Sequence, residues 1–167
     1  RVDDGYRRIR PLPDGFEPGW EQADPRYPPL GDIRRVIREC ADSDNNVITI
    51  LSDVKFFSSA LAWIEGASSS VSRKHMVGLS VDGHSMRNFE SYGIRSVNAS
   101  GWFKAEFGDD VYHRCDAIKA WFALNALVVG VNVYVTDADA FVLRNPFDAL
   151  CRDADFEMMA DTHNGPY

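Results

Sequence analysis

Three Asp-x-Asp tripeptides carry the residue types best suited to chemistry in this sequence: Asp42 with Asp44, Asp137 with Asp139, and Asp153 with Asp155. Two carboxylates one residue apart supply hard oxygen ligands, the kind Mg2+ or Mn2+ takes when it bridges a protein to a substrate's phosphates. The tripeptide alone is weak evidence, because a chain rich in Asp shows it by chance. Context separates the three. Asp42 and Asp44 lie in ADSDNN, a turn-like polar cluster, and Asp153 and Asp155 in CRDADF, between a short turn and a predicted strand. Only Asp137 and Asp139 follow a hydrophobic strand that a long helix precedes. In open α/β sheets ligands bind beyond the carboxyl ends of the strands, which makes this pair the candidate cation and phosphate site. The competing reading is a capped turn or two solvent-facing acids.

Other residues gain meaning from the same placement. Asp53 and Asp82 also stand where apolar runs stop, so three strands would deliver acids to one edge of a sheet. Each alone reads as a turn residue. Lys119 lies on the helix before the acidic strand, among apolar neighbours, and is either a snorkelling side chain or a cation reaching a diphosphate. His163 is a candidate third metal ligand, against the commoner reading of an exposed histidine. Trp63, Trp102 and Trp121 are expected to pack in the core or cover it.

The elements that must position these residues follow from periodicity. Residues 1–29 are rich in Pro, Gly and charge and read as an extended arm, with Trp20 and Tyr27 as anchors. IRRVIREC places Ile33, Val36, Ile37 and Cys40 on one face and predicts a short amphipathic helix capped by Asp32. NVITILSDV from Asn46 has the β-branched, continuous apolar character of a buried parallel strand. A helix over Phe56 to Gly66, a strand ending at Asp82, a helix in SMRNFESYG stopped by Gly93, and a weaker strand in IRSVN continue the alternation.

After the aromatic loop GWFKAEFGDD, His113 to Val129 sets Ile118, Trp121, Phe122, Leu124, Leu127 and Val128 at helical spacing, and Gly130 ends the helix. VNVYVT then leads into the acidic pair, NPFDALC predicts one helical turn after Pro146, and DFEMMAD a further strand ending at Asp161. Such repeated crossovers imply a mostly parallel sheet with helices on both faces. No internal repeat is evident.

Bulk properties bound the function. At 167 residues and 45% hydrophobic content the chain can bury one sizeable core, so one domain is expected. A formal charge of -7 leaves no basic face for a phosphate backbone and excludes nucleic acid as an expected partner. A nucleotide-sized ligand stays open, with a metal supplying positive charge. Cys40, Cys115 and Cys151 lack CxxC spacing, which argues against structural zinc and leaves the disulfide state open. No apolar run is long enough for a membrane span and no signal peptide opens the chain. A start at Arg1 and an end at THNGPY read as a processed or partial chain, with an anchor or a second half expected outside it. Asn98-Ala99-Ser100 is a glycosylation sequon and permits a secretory-pathway reading.

The segment IKAWFALNALVVGVNVYVTDADAFVLRNPF resembles the signature of the nucleotide-diphospho-sugar transferase family, the GT-A-fold group that contains plant and algal arabinosyl- and xylosyltransferases. The family's order is a helix Lys, a Leu/Gly-ending helix, a hydrophobic strand, Asp-x-Asp and an Asn-Pro or Asp-Pro turn. It is matched here by Lys119, Gly130, Val131 to Val135, Asp137 with Asp139, and Asn145-Pro146. Upstream, NVITILSDVKFFSSALAWI is similar to the family's first strand and helix, and VGLSVD to its second strand.

The resemblance implies a Rossmann-like GT-A domain over residues 30–167, following the arm at 1–29. It implies a nucleotide-sugar donor, expected to be a UDP-sugar, with Ser52, Asp53 and Asp82 near base and ribose. Asp137 and Asp139 would sit at the Mn2+ or Mg2+ and diphosphate, Lys119 would help hold the phosphates, and Asp161 is the candidate facing the sugar. Transfer to a glycan or glycoprotein acceptor with retention of configuration, in the Golgi lumen, completes the implied picture. Family members continue past this point into an acceptor-binding half with an Asn-x-Gly-Phe-like segment, whereas HNGP here is followed by the end, so a further chain or segment would complete the domain. Two other readings compete. A haloacid-dehalogenase-type phosphohydrolase carries its acidic pair after the first strand, unlike this chain; a non-catalytic member of the fold would keep a binding or structural role.

Overall fold

The computed structural model describes residues 30–108 and 110–150. The arm at 1–29, the strand expected in DFEMMAD, the pair Asp153 and Asp155, and the site candidates Asp161 and His163 lie outside the described residues.

Helix α1 covers Leu30–Cys40. It buries Ile33, Val36, Ile37 and Cys40, the stripe that spacing predicts. Asp32 is not its cap. The helix begins two residues earlier, so Asp32 falls in the first turn, where its carboxylate faces the positive helix end and lies 3.5 Å from Arg35 Nη2.

Strands β1 (Asn46–Ser52) and β2 (Met76–Ser80) are buried almost throughout. Both faces of each are covered, which is why their sequences are apolar runs and not alternations. Helix α2 (Phe57–Ala67) joins them, followed by a 3-10 turn at Arg73–His75. Helix α3 (Gly83–Ser91) leads to β3 (Arg95–Asn98). Part of the expected aromatic loop forms a single turn, α4 (Lys104–Phe107), before the long helix α5 (Val111–Val128) and β4 (Asn132–Thr136). Gly130 takes φ 74°, the left-handed conformation that ends α5 without a Cβ clash.

The sheet is parallel throughout, in the order β3-β2-β1-β4. From β1 the chain moves outward through β2 to β3, then α5 carries it back across to the other side of β1. The order therefore reverses between β1 and β4, where Ile48 pairs with Tyr134 and Ile50 with Thr136. Alternate residues of β1 serve the two faces. Val47 packs with Ile37 of α1 and with Ile118, Phe122 and Ala126 of α5. Ile48 and Ile50 pack with Ala60, Trp63 and Ile64 of α2 and Phe89 of α3. The result is the α/β arrangement with helices on both faces that the sequence implies.

Two details of α5 depart from expectation. Leu124 and Leu127, counted on its apolar face, are 39% and 37% exposed, and the buried positions include Asn125 instead. The helix is apolar nearly all round, so spacing does not single out the buried face; specific bonds do. Asn125 donates to the Trp121 carbonyl and accepts from Arg34 Nε at 3.1 Å, which ties α5 to α1.

Candidate functional site

Every parallel strand ends at the same edge, and this edge collects the acids. Reading across it, Asp82 follows β2, Asp53 follows β1 and Asp137 follows β4. Asp53 and Asp137 flank the β1/β4 reversal, the position where open α/β sheets bind ligands. The other described tripeptide is excluded by position. Asp42 and Asp44 precede β1 at the opposite edge, and Asp42 Oδ1 accepts from the backbone N–H of Asp44 at 2.9 Å and Asn46 at 2.8 Å, a turn cap.

The strands flanking the reversal end in the same device. Ser52 Oγ donates to the carbonyl of Asp53 at 2.9 Å, and Thr136 Oγ1 donates to that of Asp137 at 3.2 Å. Both hydroxyl residues are buried, so each strand closes its last polar group on the backbone of the aspartate that follows. After β4 the chain closes a tight turn in which Ala140 N–H donates to the Asp137 carbonyl at 3.2 Å. Both Asp137 and Asp139 are exposed on this turn. Val142 is buried against α2 and Asn145 caps the 3-10 turn Pro146–Asp148 by accepting from Phe147 N–H at 3.1 Å, so the segment after the pair is fastened at two points.

Lys119 is present at this edge, in a different posture from that implied by the resemblance. Its ammonium lies 2.7 Å from Asp137 Oδ1 and 3.1 Å from Asp116 Oδ1. Burial pushes the amine pKa down, but the hydrogen bonds and charges of Asp137 and Asp116 outweigh it and raise the pKa above the ordinary lysine value. The stem is largely buried, and the ammonium is ion-paired to Asp137, one member of the acidic pair, and to Asp116 on its own helix.

Asp82 carries a structural load. Its Oδ1 accepts from His84 N–H at 2.8 Å and Ser85 N–H at 2.7 Å, capping α3, while Oδ2 accepts from Val54 N–H at 2.7 Å and pins the loop after β1. Asp53 Oδ1 likewise accepts from Lys55 and Phe56 N–H, both at 2.9 Å, shaping the same loop. Burial pushes the Asp82 pKa up, yet the three amide bonds prevail and hold it below the usual carboxylate range. A folded-state pKa below the unfolded one stabilises the fold above the unfolded value near 3.9 and loses that contribution as pH falls through the folded value. Asp82→Asn is expected to cost about 1–2 kcal/mol at pH 7. The gap between variant and parent in urea unfolding should narrow as the pH is taken down from 7 through and below the usual carboxylate range; a gap that does not change with pH would contradict the assignment.

One residue went unnoticed in the sequence. Arg114, in the first turns of α5, is 8% exposed and its Nε has no hydrogen-bond partner among the described residues. Since β3 and β4 are parallel, α5 returns the chain and its first turns stand at the carboxyl edge. A buried guanidinium whose Nε has no partner among the described residues is costly and suits an anionic ligand. Arginine on a surface helix normally reads as solvated, so only its one-turn offset from buried Ile118 hinted at this.

Among the described residues no three His, Cys, Asp or Glu side chains converge as a ready-made metal cage. Two exposed carboxylates on one turn do fit Mg2+ or Mn2+, which such sites hold by one or two carboxylates with phosphate and water completing the shell. A shallow depression of about 460 Å³ between Cys40, Lys74, Gly93 and Arg95 lies at the opposite edge of the sheet. Its Arg95 is paired with Glu39 at 3.4 Å, and nothing there matches the chemistry of the acidic edge.

A parallel α/β sheet whose order reverses beside an exposed acidic pair is a doubly-wound α/β fold, the class that takes its ligands at such a reversal. The family model for nucleotide-diphospho-sugar transferases matches residues 73–167, more than half of the chain, and the chain belongs to that family. The match contains β2 through β4, Lys119 and the acidic pair, while Ser52 and Asp53 precede it. No curated protein and no solved structure matches the chain significantly. Among the described residues no helix is long and apolar enough to cross a membrane.

Proposed function

We propose that this chain is a metal-dependent glycosyltransferase that moves a sugar from a UDP-sugar to a glycan or glycoprotein acceptor, with retention of configuration, in the Golgi lumen. The observation that carries the site is the exposed Asp137 and Asp139 turn beside the β1/β4 reversal. Family membership supplies the nucleotide-sugar donor. The base, the retaining outcome, the acceptor and the compartment rest on the resemblance in the sequence.

In this reading Asp137 and Asp139 hold Mn2+ or Mg2+ against the diphosphate. When bound, the cation offsets the negative charge that grows on the nucleoside diphosphate as it leaves. Ser52 and Asp53 shape the loop that receives base and ribose. Asp82 supports that loop from behind through Val54. Its carboxylate keeps acceptor capacity for a ribose hydroxyl beyond the three amides. Arg114 and Lys119 bring positive charge to the phosphates from α5. Asp161 facing the sugar and His163 as a third metal ligand complete the proposal.

Calorimetric titration of the folded chain with UDP, with Mn2+ and then with excess EDTA, tests it. Binding that weakens at least tenfold on chelation is the expected result. No binding in a sample that is folded by circular dichroism would overturn the donor site, and metal-dependent binding without sugar transfer to any acceptor would favour a non-catalytic role.

A further inference from the structure

We propose that Lys119 makes cation uptake conditional on the nucleotide's diphosphate, by holding Asp137 until the phosphates arrive. This rests on the donor-site reading above and adds an order and a coupling to it.

The ammonium sits between two carboxylates, 2.7 Å from Asp137 Oδ1 and 3.1 Å from Asp116 Oδ1. Its side chain is 20% exposed, whereas those of Asp116 and Asp137 are 57% and 67% exposed. The ammonium is therefore the more buried member of the trio, held between two more exposed carboxylates. Asp137 has one oxygen engaged, which leaves its second oxygen and those of Asp139 to a dication. A dication there would stand within a few ångströms of the ammonium, and like charges at that range repel. Metal alone thus meets a partly neutralised site.

The diphosphate changes the balance. Its oxygens supply both further ligands for the cation and a new partner for the ammonium, which a flexible lysine stem can reach without leaving the edge. Asp116 keeps a second hold on Lys119, so releasing Asp137 does not strand the charge. Nucleotide and cation should therefore each tighten the binding of the other, by the same factor, as linkage requires.

The test measures Mn2+ affinity with and without UDP, from the free-ion electron paramagnetic resonance signal, in the parent, Lys119→Met and Lys119→Arg. Lys119→Met should bind Mn2+ alone about tenfold more tightly, because one positive charge at contact range is gone. It should also bind UDP in the presence of Mn2+ about tenfold more weakly, so the coupling collapses. Lys119→Arg retains the charge and should keep most of the coupling. If Lys119→Met binds Mn2+ alone equally or more weakly, Lys119 merely positions Asp137 and the proposal is overturned. A parent chain that binds no UDP with Mn2+ defeats the donor-site reading itself, a separate outcome.

Discussion

Asp139→Ala removes the manganese dependence of UDP binding, a loss of about tenfold or more in metal-assisted affinity, since one carboxylate of a two-carboxylate site is deleted. Asp139 is the cleaner of the two targets. It is exposed on the turn after β4, and no hydrogen bond or ion pair is found for it among the described residues. Deleting an exposed side chain of this kind changes stability by about 0.5 kcal/mol or less, so the melting temperature should hold while metal-assisted affinity falls. Asp137→Ala would be harder to interpret, since it also releases Lys119 from its 2.7 Å contact and alters the charge of the whole edge. Calorimetry of both variants with UDP, in Mn2+ and in EDTA, reads the difference. Unchanged metal dependence in Asp139→Ala would remove Asp139 from the ligand set.

Gly78→Ala has the largest expected effect on the fold. Gly78 is the middle residue of β2, and a Cβ built on it would lie 2.5 Å from Cγ and 2.6 Å from a ring Cδ of Phe89. Phe89 is fully buried and meets Phe57 edge-on with ring centroids 5.2 Å apart, so the ring has no open side to retreat into. Helix α3 would have to lift from the sheet. Overpacking of this sort costs about 2–3 kcal/mol, or about 5–10 °C in melting temperature for a domain of this size. A smaller partner should relieve it: Gly78→Ala with Phe89→Leu is expected to be more stable than the sum of the single changes allows. Additive losses, or a melting temperature unmoved by Gly78→Ala alone, would contradict the close approach of α3 to β2.

Much of the path from sequence to site was readable because the signals were local. Apolar runs ending in Ser52-Asp53 and Thr136-Asp137 marked strands with polar carboxyl ends, and Gly130 and Asn145 marked the stops around them. Strand order was not readable. The pairing of β4 with β1 joins residues more than eighty positions apart, and no local pattern encodes it. Yet that pairing is what brings Asp53 and Asp137 to one crevice while leaving Asp42 and Asp44 at the far edge.

Side-chain commitments were the other gap. The sequence placed Asp82 at the ligand edge but could not show that three backbone amides occupy its carboxylate. It placed Lys119 beside the acidic strand but not against Asp137 and Asp116. Arg114 is hard to single out because an arginine in a helix normally reads as solvated, and its one-turn offset from Ile118 is a weak signal. Leu124 and Leu127 differ for the opposite reason: hydrophobic type does not by itself mean burial on a helix that offers apolar residues on several sides.

The central claim is positional, that the donor's diphosphate and its cation sit at the β1/β4 reversal. Paramagnetic broadening by substoichiometric Mn2+ in the presence of UDP, read from amide spectra of the isotopically labelled chain, tests it most directly. The account expects selective loss of the signals of Ala138 to Ala140, Asp53 to Lys55 and Asp116 to Lys119. Signals of Lys74 and Gly93 to Arg95, at the opposite edge, should stay sharp. Broadening centred on Asp42 to Asn45 or on the depression beside Arg95, with the turn after β4 unaffected, would contradict it.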